Sequence, residues 1–229
     1  MKHVLKPHFE DYEFSIGYRL THWIRFFAIM ILIVSGFYLS CVFQSPDITS
    51  EPTIFLNAKW RFIHVVFGFI MIGAAIFKTY LFFTDPLSKK ELIAIHNCLD
   101  IKIWIQQLGY YMFLTNEHPK IQGTYNPLQF ASYFFFYIIL FIISLTGIIL
   151  YVHVYHNGMG GIFYDICRQF EVIFGGLANV REIHHICMWI IVIFVPVHVY
   201  MAIFNAVKGV DGCMDAIISG YKFPKDEHK

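Results

Sequence analysis

Charge is scarce in this sequence: Asp, Glu, Lys and Arg together make up 14% of its 229 residues, where an average soluble domain carries about 25%. A soluble domain so poor in charge would leave large apolar patches facing water, so that class is excluded. Charge of one sign is lacking as well. The 17 Lys and Arg stand against 16 Asp and Glu, and a near-neutral chain has no basic field with which to hold nucleic-acid phosphates. Disorder needs low hydrophobicity and high net charge, yet 57% of the residues are hydrophobic. Cysteine is sparse and scattered. Cys41, Cys98, Cys167, Cys187 and Cys213 form no C-x-x-C pair, which excludes iron–sulfur and zinc-ribbon spacings and the C-x-x-C-H attachment of c-type haem. They read as packing residues, not as a disulfide framework. No signal peptide is read in the leader, because the first apolar run is long enough to stay in the membrane. Against these shortages stand 19% aromatic residues and 12 histidines.

A helix needs about 20 apolar residues to cross a bilayer core of about 30 Å, and four stretches qualify: residues 20–43, 59–83, 127–152 and 182–207. Helix is the only open-ended structure that satisfies its own backbone in lipid. The stretch from Leu92 to Leu114 differs, since it carries His96, Asp100, Lys102, Gln106 and Gln107. Those residues are costly at bilayer depth, so it reads as an amphipathic connector helix at the interface. The expected fold is therefore an all-α membrane protein, a four-helix transmembrane bundle forming one domain over residues 1–229. Thirteen Lys and Arg fall in the leader, the middle connector and the tail, and four in the other two connections. By the positive-inside rule both termini and the connector helix face the cytoplasm.

Orientation gives the histidines a depth. His22 opens the first span on the cytoplasmic side, and His64 lies just past the outer start of the second. The fourth span also starts outside and carries His184 and His185 early and His198 late. Fourteen residues at about 100° each leave His184 and His198 within about 40° of one another and about 21 Å apart along the axis. His185 is rotated off that face by about 100° and reads as a neighbour or surface residue. Two imidazoles thus stand at each level on different helices, His64 with His184 outside and His22 with His198 inside. The other seven histidines, at 3, 8, 96, 118, 153, 156 and 228, fall in polar ends, connectors or the interfacial helix.

Two histidines leave a bare zinc ion two ligands short of four, and no Cys, Asp or Glu stands at matching depth. A haem supplies four nitrogens itself and needs only two axial ligands, and bundle cores are common places for it. Two stacked b haems explain the pattern. Phe62, Phe67, Phe69, Gly36, Gly68 and Gly147 are available as walls and points of close approach. Arg25 and Arg61 each lie three residues from an expected ligand, near a membrane face, where they could pair haem propionates.

At this point the sequence resembles the cytochrome b subunit of membrane-bound, quinone-reactive nickel–iron uptake hydrogenases. R-L-T-H-W carries His22, W-R-F-I-H carries His64, and H-H-I-C-M-W carries His184 with His198 fourteen residues beyond. The connector G-T-Y-N-P-L-Q looks like that family's G-H-N-P-L segment, departing from it with Thr124-Tyr125 in place of one histidine. The resemblance implies a four-helix bundle with two b haems, the outer on His64 and His184 and the inner on His22 and His198. It implies hydrogenase large and small subunits docked outside through the small subunit's C-terminal helix. Electrons from hydrogen would pass by the outer and then the inner haem to a membrane quinone, menaquinone or ubiquinone, in a pocket near the inner haem. Tyr111, Asn126 and Gln129 are the candidates for that pocket, which needs hydrogen-bonding groups beside an apolar slot. No residue of the chain is expected to oxidise hydrogen itself. Two other readings stand beside this one: the cytochrome b of a quinone-linked formate dehydrogenase, with the same histidine layout, and a non-haem four-span metal-ion carrier.

Overall fold

The computed structural model describes residues 11–41, 43, 55–87, 98–115, 125–208 and 213–222. His3, His8, His96, His118 and His228 lie outside that set. The described residues form seven helices and one short ribbon: β1 (Asp11–Tyr12), α1 (Ile16–Ser40), α2 (Leu56–Thr84), α3 (Ile101–Tyr111), α4 (Pro127–Val154), α5 (Met159–Ile173), α6 (Leu177–Lys208), α7 (Cys213–Ser219) and β2 (Tyr221–Lys222). Four of them, α1, α2, α4 and α6, are long and apolar enough to cross a membrane. The shortest has 25 residues and extends about 37 Å, past the roughly 30 Å of hydrocarbon.

Local chemistry sets the ends of these helices. Ser15 caps α1 by accepting from the Tyr18 amide at 3.3 Å, and Asp100 caps α3 by accepting from Lys102 at 2.9 Å. At α4, Asn126 Oδ1 accepts from the Gln129 amide at 2.8 Å while Gln129 Oε1 accepts from the Asn126 amide at 3.1 Å. That reciprocal capping box precedes Pro127, which suits a first helical position. The helix of the third apolar run starts at Pro127. The fourth starts at Leu177, five residues earlier than expected, because Gly175 and Gly176 take φ of +82° and +102° and end the helix before it.

That preceding helix, α5, is the main departure from expectation. The connection between the last two spans reads as a short polar segment, but Asp165, Arg168 and Glu171 break an apolar set of helical period. Cys167 and Glu171 turn inward, while Ile162, Ile166 and Ile173 are exposed. Glu171, 8% exposed, takes both oxygens to Arg168 Nη1 at 2.7 and 2.8 Å and lies 3.5 Å from His153 Nδ1. A buried carboxylate is tolerable only with such partners.

The chain divides into two compact units, residues 1–21, 77–134 and 195–229 in one and 22–76 with 135–194 in the other. In the first, β1 pairs antiparallel with β2, Asp11 opposite Lys222 and Tyr12 opposite Tyr221. Lys78 is buried there at 4% exposure, its Nζ 4.0 Å from the centre of the Tyr18 ring, a placement that offsets part of the desolvation of an ammonium. Helix α3 packs on the end of α6 through Phe204, whose ring centre is 6.3 Å from Tyr110 and 6.0 Å from Tyr111. In the second unit Ile149, Val152, Cys167 and Val180 form a core cluster joining α4, α5 and α6, and Tyr38 stacks on Trp60 at 4.9 Å.

Candidate functional site

Within the second unit, two imidazoles from different spans meet. His64 of α2 lies against α1 where Ser35 and Gly36 adjoin. Ser35 Oγ is 2.9 Å from His64 Nδ1 and donates its only proton to the Ile31 carbonyl at 2.7 Å. With its proton on that carbonyl, the hydroxyl is an acceptor for a ring whose Nδ1 carries the hydrogen. His184 of α6 repeats the arrangement on α4. Thr146 Oγ1 is 2.9 Å from His184 Nδ1 and donates to the Ile142 carbonyl at 2.9 Å. In each case the nitrogen left with a lone pair is Nε2.

A glycine lies against each ring. A Cβ on Gly36 would stand 3.4 Å from His64 Cε1 and 3.5 Å from Met188 Sδ, and a Cβ on Gly147 would stand 3.4 Å from His184 Cε1. The Nδ1–Cε1 edge of each ring thus lies on a small-residue step, Ser35-Gly36 or Thr146-Gly147. Gly68, one turn beyond His64, is half-buried, yet a Cβ there would meet nothing within 4 Å.

These observations test whether a haem fits. The His64 and His184 ring centres are 6.3 Å apart. Two metal–nitrogen bonds of about 2.0 Å, with about 1.1 Å from each nitrogen to its ring centre, span about 6.2 Å in a line. A ligating histidine donates its other N–H to an acceptor nearby, and each ring has a hydroxyl oxygen 2.9 Å from Nδ1 to take that bond. Among the described residues no group of three or more His, Cys, Asp and Glu is placed to hold a metal ion, so a donor set that completes its own coordination plane suits the pair better than a bare ion. The site fits a bis-histidine haem.

The remaining expected residues are placed as follows. His22 is half-buried on α1 in the second unit, and His198 is half-buried on α6 in the first, its ring 5.6 Å from Tyr133. His185 is exposed, as its helical phase predicts. Arg25 Nη1 donates to Tyr137 Oη at 3.0 Å, and Arg61 is exposed on α2. Phe62 is 69% exposed and so faces away from its unit's interior. Tyr111 Oη accepts from Asn126 Nδ2 at 3.0 Å, which joins α3 to the capping box of α4, so Tyr111, Asn126 and Gln129 form one hydrogen-bonded group. Sequence reasoning passed over Gln107, one turn before Tyr111 on α3. It is 1% exposed, neither its amide oxygen nor its nitrogen has a partner among the described residues, and it lines an apolar slot with Ile101, Trp104, Ile105, Leu108 and Leu128.

Residues 13–220 match the family model described as prokaryotic cytochrome b561. A relative from Cupriavidus necator, described as a probable Ni/Fe-hydrogenase B-type cytochrome subunit, is 30% identical over 222 residues, covering 94% of this chain and 88% of its own. A protein of the same description from Rhizobium leguminosarum is 27% identical, covering 94% and 90%. The Escherichia coli K12 protein described as the probable Ni/Fe-hydrogenase 1 B-type cytochrome subunit is 25% identical, covering 93% and 91%.

Proposed function

The chain belongs to the prokaryotic cytochrome b561 family, and from that premise we propose that it is the membrane cytochrome of a nickel–iron hydrogenase, carrying electrons from hydrogen to quinone. The observation that carries the reading is the meeting of His64 and His184 at 6.3 Å, each with Nδ1 engaged by a hydroxyl. His64 and His184 would hold one haem. His22 and His198 would hold a second, a pairing that rests on the depth count in the sequence. Haem supplies a one-electron carrier at each level.

The chain's own residues do the rest. Ser35 and Thr146 orient the imidazoles, Gly36 and Gly147 admit them, and Arg25 and Arg61 offer cations to the propionates. We assign the quinone to the cytoplasmic side, at the connector helix α3. There the Tyr111–Asn126–Gln129 group ties α3 to α4, and Gln107, one turn before Tyr111, faces an apolar slot closed by Leu128, which suits an apolar ring bearing carbonyl oxygens. Hydrogenase large and small subunits would dock on the outer side, leaving both termini in the cytoplasm of an inner membrane.

Hydrogen oxidation releases two protons and two electrons outside, and quinone reduction takes up two of each, with the protons drawn from the cytoplasm. Charge then crosses the membrane. Proteoliposomes holding the hydrogenase complex should develop a membrane potential when given hydrogen and a quinone; turnover without a potential would refute this arrangement. A purified chain lacking the absorption bands of reduced b-type haem would favour the metal-ion carrier. Co-purification with formate dehydrogenase subunits would favour that partner instead.

Gln107 gives a further expected result. A buried amide that finds no partner among the described residues is a folding liability of about 1–3 kcal/mol, so Gln107→Leu should make the protein more stable. The same change should raise the KM for quinone about tenfold, the effect of losing one well-made hydrogen bond. Quinone titrations of hydrogen-driven reduction, alongside thermal unfolding of the detergent-solubilised complex, check both halves. A stabilised variant with unchanged KM would remove Gln107 from the quinone site.

A further inference from the structure

Ser35 and Thr146 are both 0% exposed, and neither is a ligand. Serine and threonine in a membrane helix commonly bond back to their own carbonyls three or four residues earlier, and the bonding usually ends there. Both residues do this: Ser35 also reaches the Leu32 carbonyl at 3.3 Å, and Thr146 the Ile143 carbonyl at 3.0 Å. What the helix does not require is the second bond, from Nδ1 of a histidine on the next span, at 2.9 Å in both cases. Nor does it require that each hydroxyl be followed by the glycine on which that ring lies. The coincidence occurs once on α1 for His64 and once on α4 for His184.

We propose that Ser35 and Thr146 are positioning residues that set the donor strength and ring orientation of His64 and His184, and with them the reduction potential of the haem between the two rings. The inference rests on the bis-histidine reading of that pair. An acceptor at Nδ1–H draws the ring proton outward and enriches Nε2, which favours oxidised iron. A carboxylate acts most strongly, but it would place a charge within a membrane span. A hydroxyl is neutral. Because it already donates to a carbonyl, it is polarised into a better acceptor. It also cannot rotate to donate to the ring without breaking that bond, so one tautomer is held.

The two halves are not equally dependent on their hydroxyls. The Ile143 carbonyl lies 3.0 Å from Thr146 Oγ1, close beside the His184 ring, whereas the matching Leu32 carbonyl is farther from Ser35 Oγ, at 3.3 Å. Loss of Ser35 should therefore have the larger effect.

The test is a redox titration of the purified full chain, followed by visible absorption, with low-spin electron paramagnetic resonance of the oxidised protein. Ser35→Ala should shift the reduction equilibrium of one haem toward the reduced form about tenfold, which for a one-electron couple is about 59 mV upward. The other haem should stay where it was. Thr146→Val should move the same haem in the same direction by less, and Thr146→Ser, which keeps the hydroxyl, should leave it near the parent value. Ser35→Ala or Thr146→Val retaining haem at an unchanged potential would overturn the proposal. If haem is lost from both, loss from Thr146→Ser and Ser35→Thr as well would mean packing alone and would overturn it too, while retention in those two supports the hydroxyl. A parent chain without any b-type spectrum refutes the bis-histidine reading instead, and does so before any variant is made.

Discussion

His64→Ala should about halve the haem content of the purified protein and leave the remaining haem with an unaltered spectrum. The expectation follows from two observations. His64 and His184 share one site, their ring centres 6.3 Å apart, and no third His, Cys, Asp or Glu joins them among the described residues. Removing one axial nitrogen leaves nothing to replace it. Ser35 is not stranded by the change, because its hydroxyl still donates to the Ile31 carbonyl at 2.7 Å. The structural cost is then mainly a cavity where the imidazole stood, about 2–3 kcal/mol for a buried side chain of that size. His64→Met separates ligand loss from cavity formation, since a thioether fills the space and can ligate with a raised potential.

Paired variants make this expectation sharp. His184→Ala should produce the same spectrum as His64→Ala, and the double variant should lose no more haem than either alone, because residues acting as one unit are not additive. His198→Ala should remove the other haem, and His64→Ala with His198→Ala should remove both. If the double variant of His64 and His184 lost all haem, the assignment of those two residues to one site would be wrong.

Much of this architecture was readable in the residues because lipid leaves few options. A span must be helical and about 20 residues long, so α1, α2, α4 and α6 follow from apolar run length alone. The shared level of His64 and His184 is read from the direction of the spans. Asn126 before Pro127 is a helix-start signal, and the capping box with Gln129 is the structure it predicts. Helix α5 was hidden because Asp165, Arg168 and Glu171 break its apolar set. Only packing reveals that Glu171 is buried with Arg168 and His153 as partners. Ser35 and Thr146 were illegible for a different reason: one bond back along the helix is what any such residue in a span makes, and the second bond exists only in three dimensions. Gln107 looked like a polar residue of an interfacial face. Its burial depends on how α3 lies against Leu128, which no periodicity records.

The glycines give the second large effect, and they separate two readings that sequence could not. Gly36, Gly68, Gly73 and Gly147 all lie inside spans, where most glycines serve ordinary helix packing. The structure divides them. A Cβ at Gly36 or Gly147 would lie 3.4 Å from a histidine Cε1, which is ordinary contact, so alanine is tolerable at both. Any longer side chain must enter the ring itself or push it off its hydroxyl. Gly147→Leu should displace His184, break its bond to Thr146 and remove the same haem that His64→Ala removes. Overpacking strain should add about 1–3 kcal/mol of destabilisation. Gly36→Leu should act alike through His64 and Met188. Gly73 is exposed on α2 and a Cβ there meets nothing within 4 Å, so Gly73→Leu should keep full haem content, and replacing a helical glycine should stabilise the span by about 0.5–1 kcal/mol. Haem content and unfolding temperature of the three leucine variants, measured side by side, decide the matter. Equal haem loss in all three would mean that span packing in general holds the haem. Loss confined to Gly36→Leu and Gly147→Leu would locate the requirement at the two steps on which the imidazoles rest.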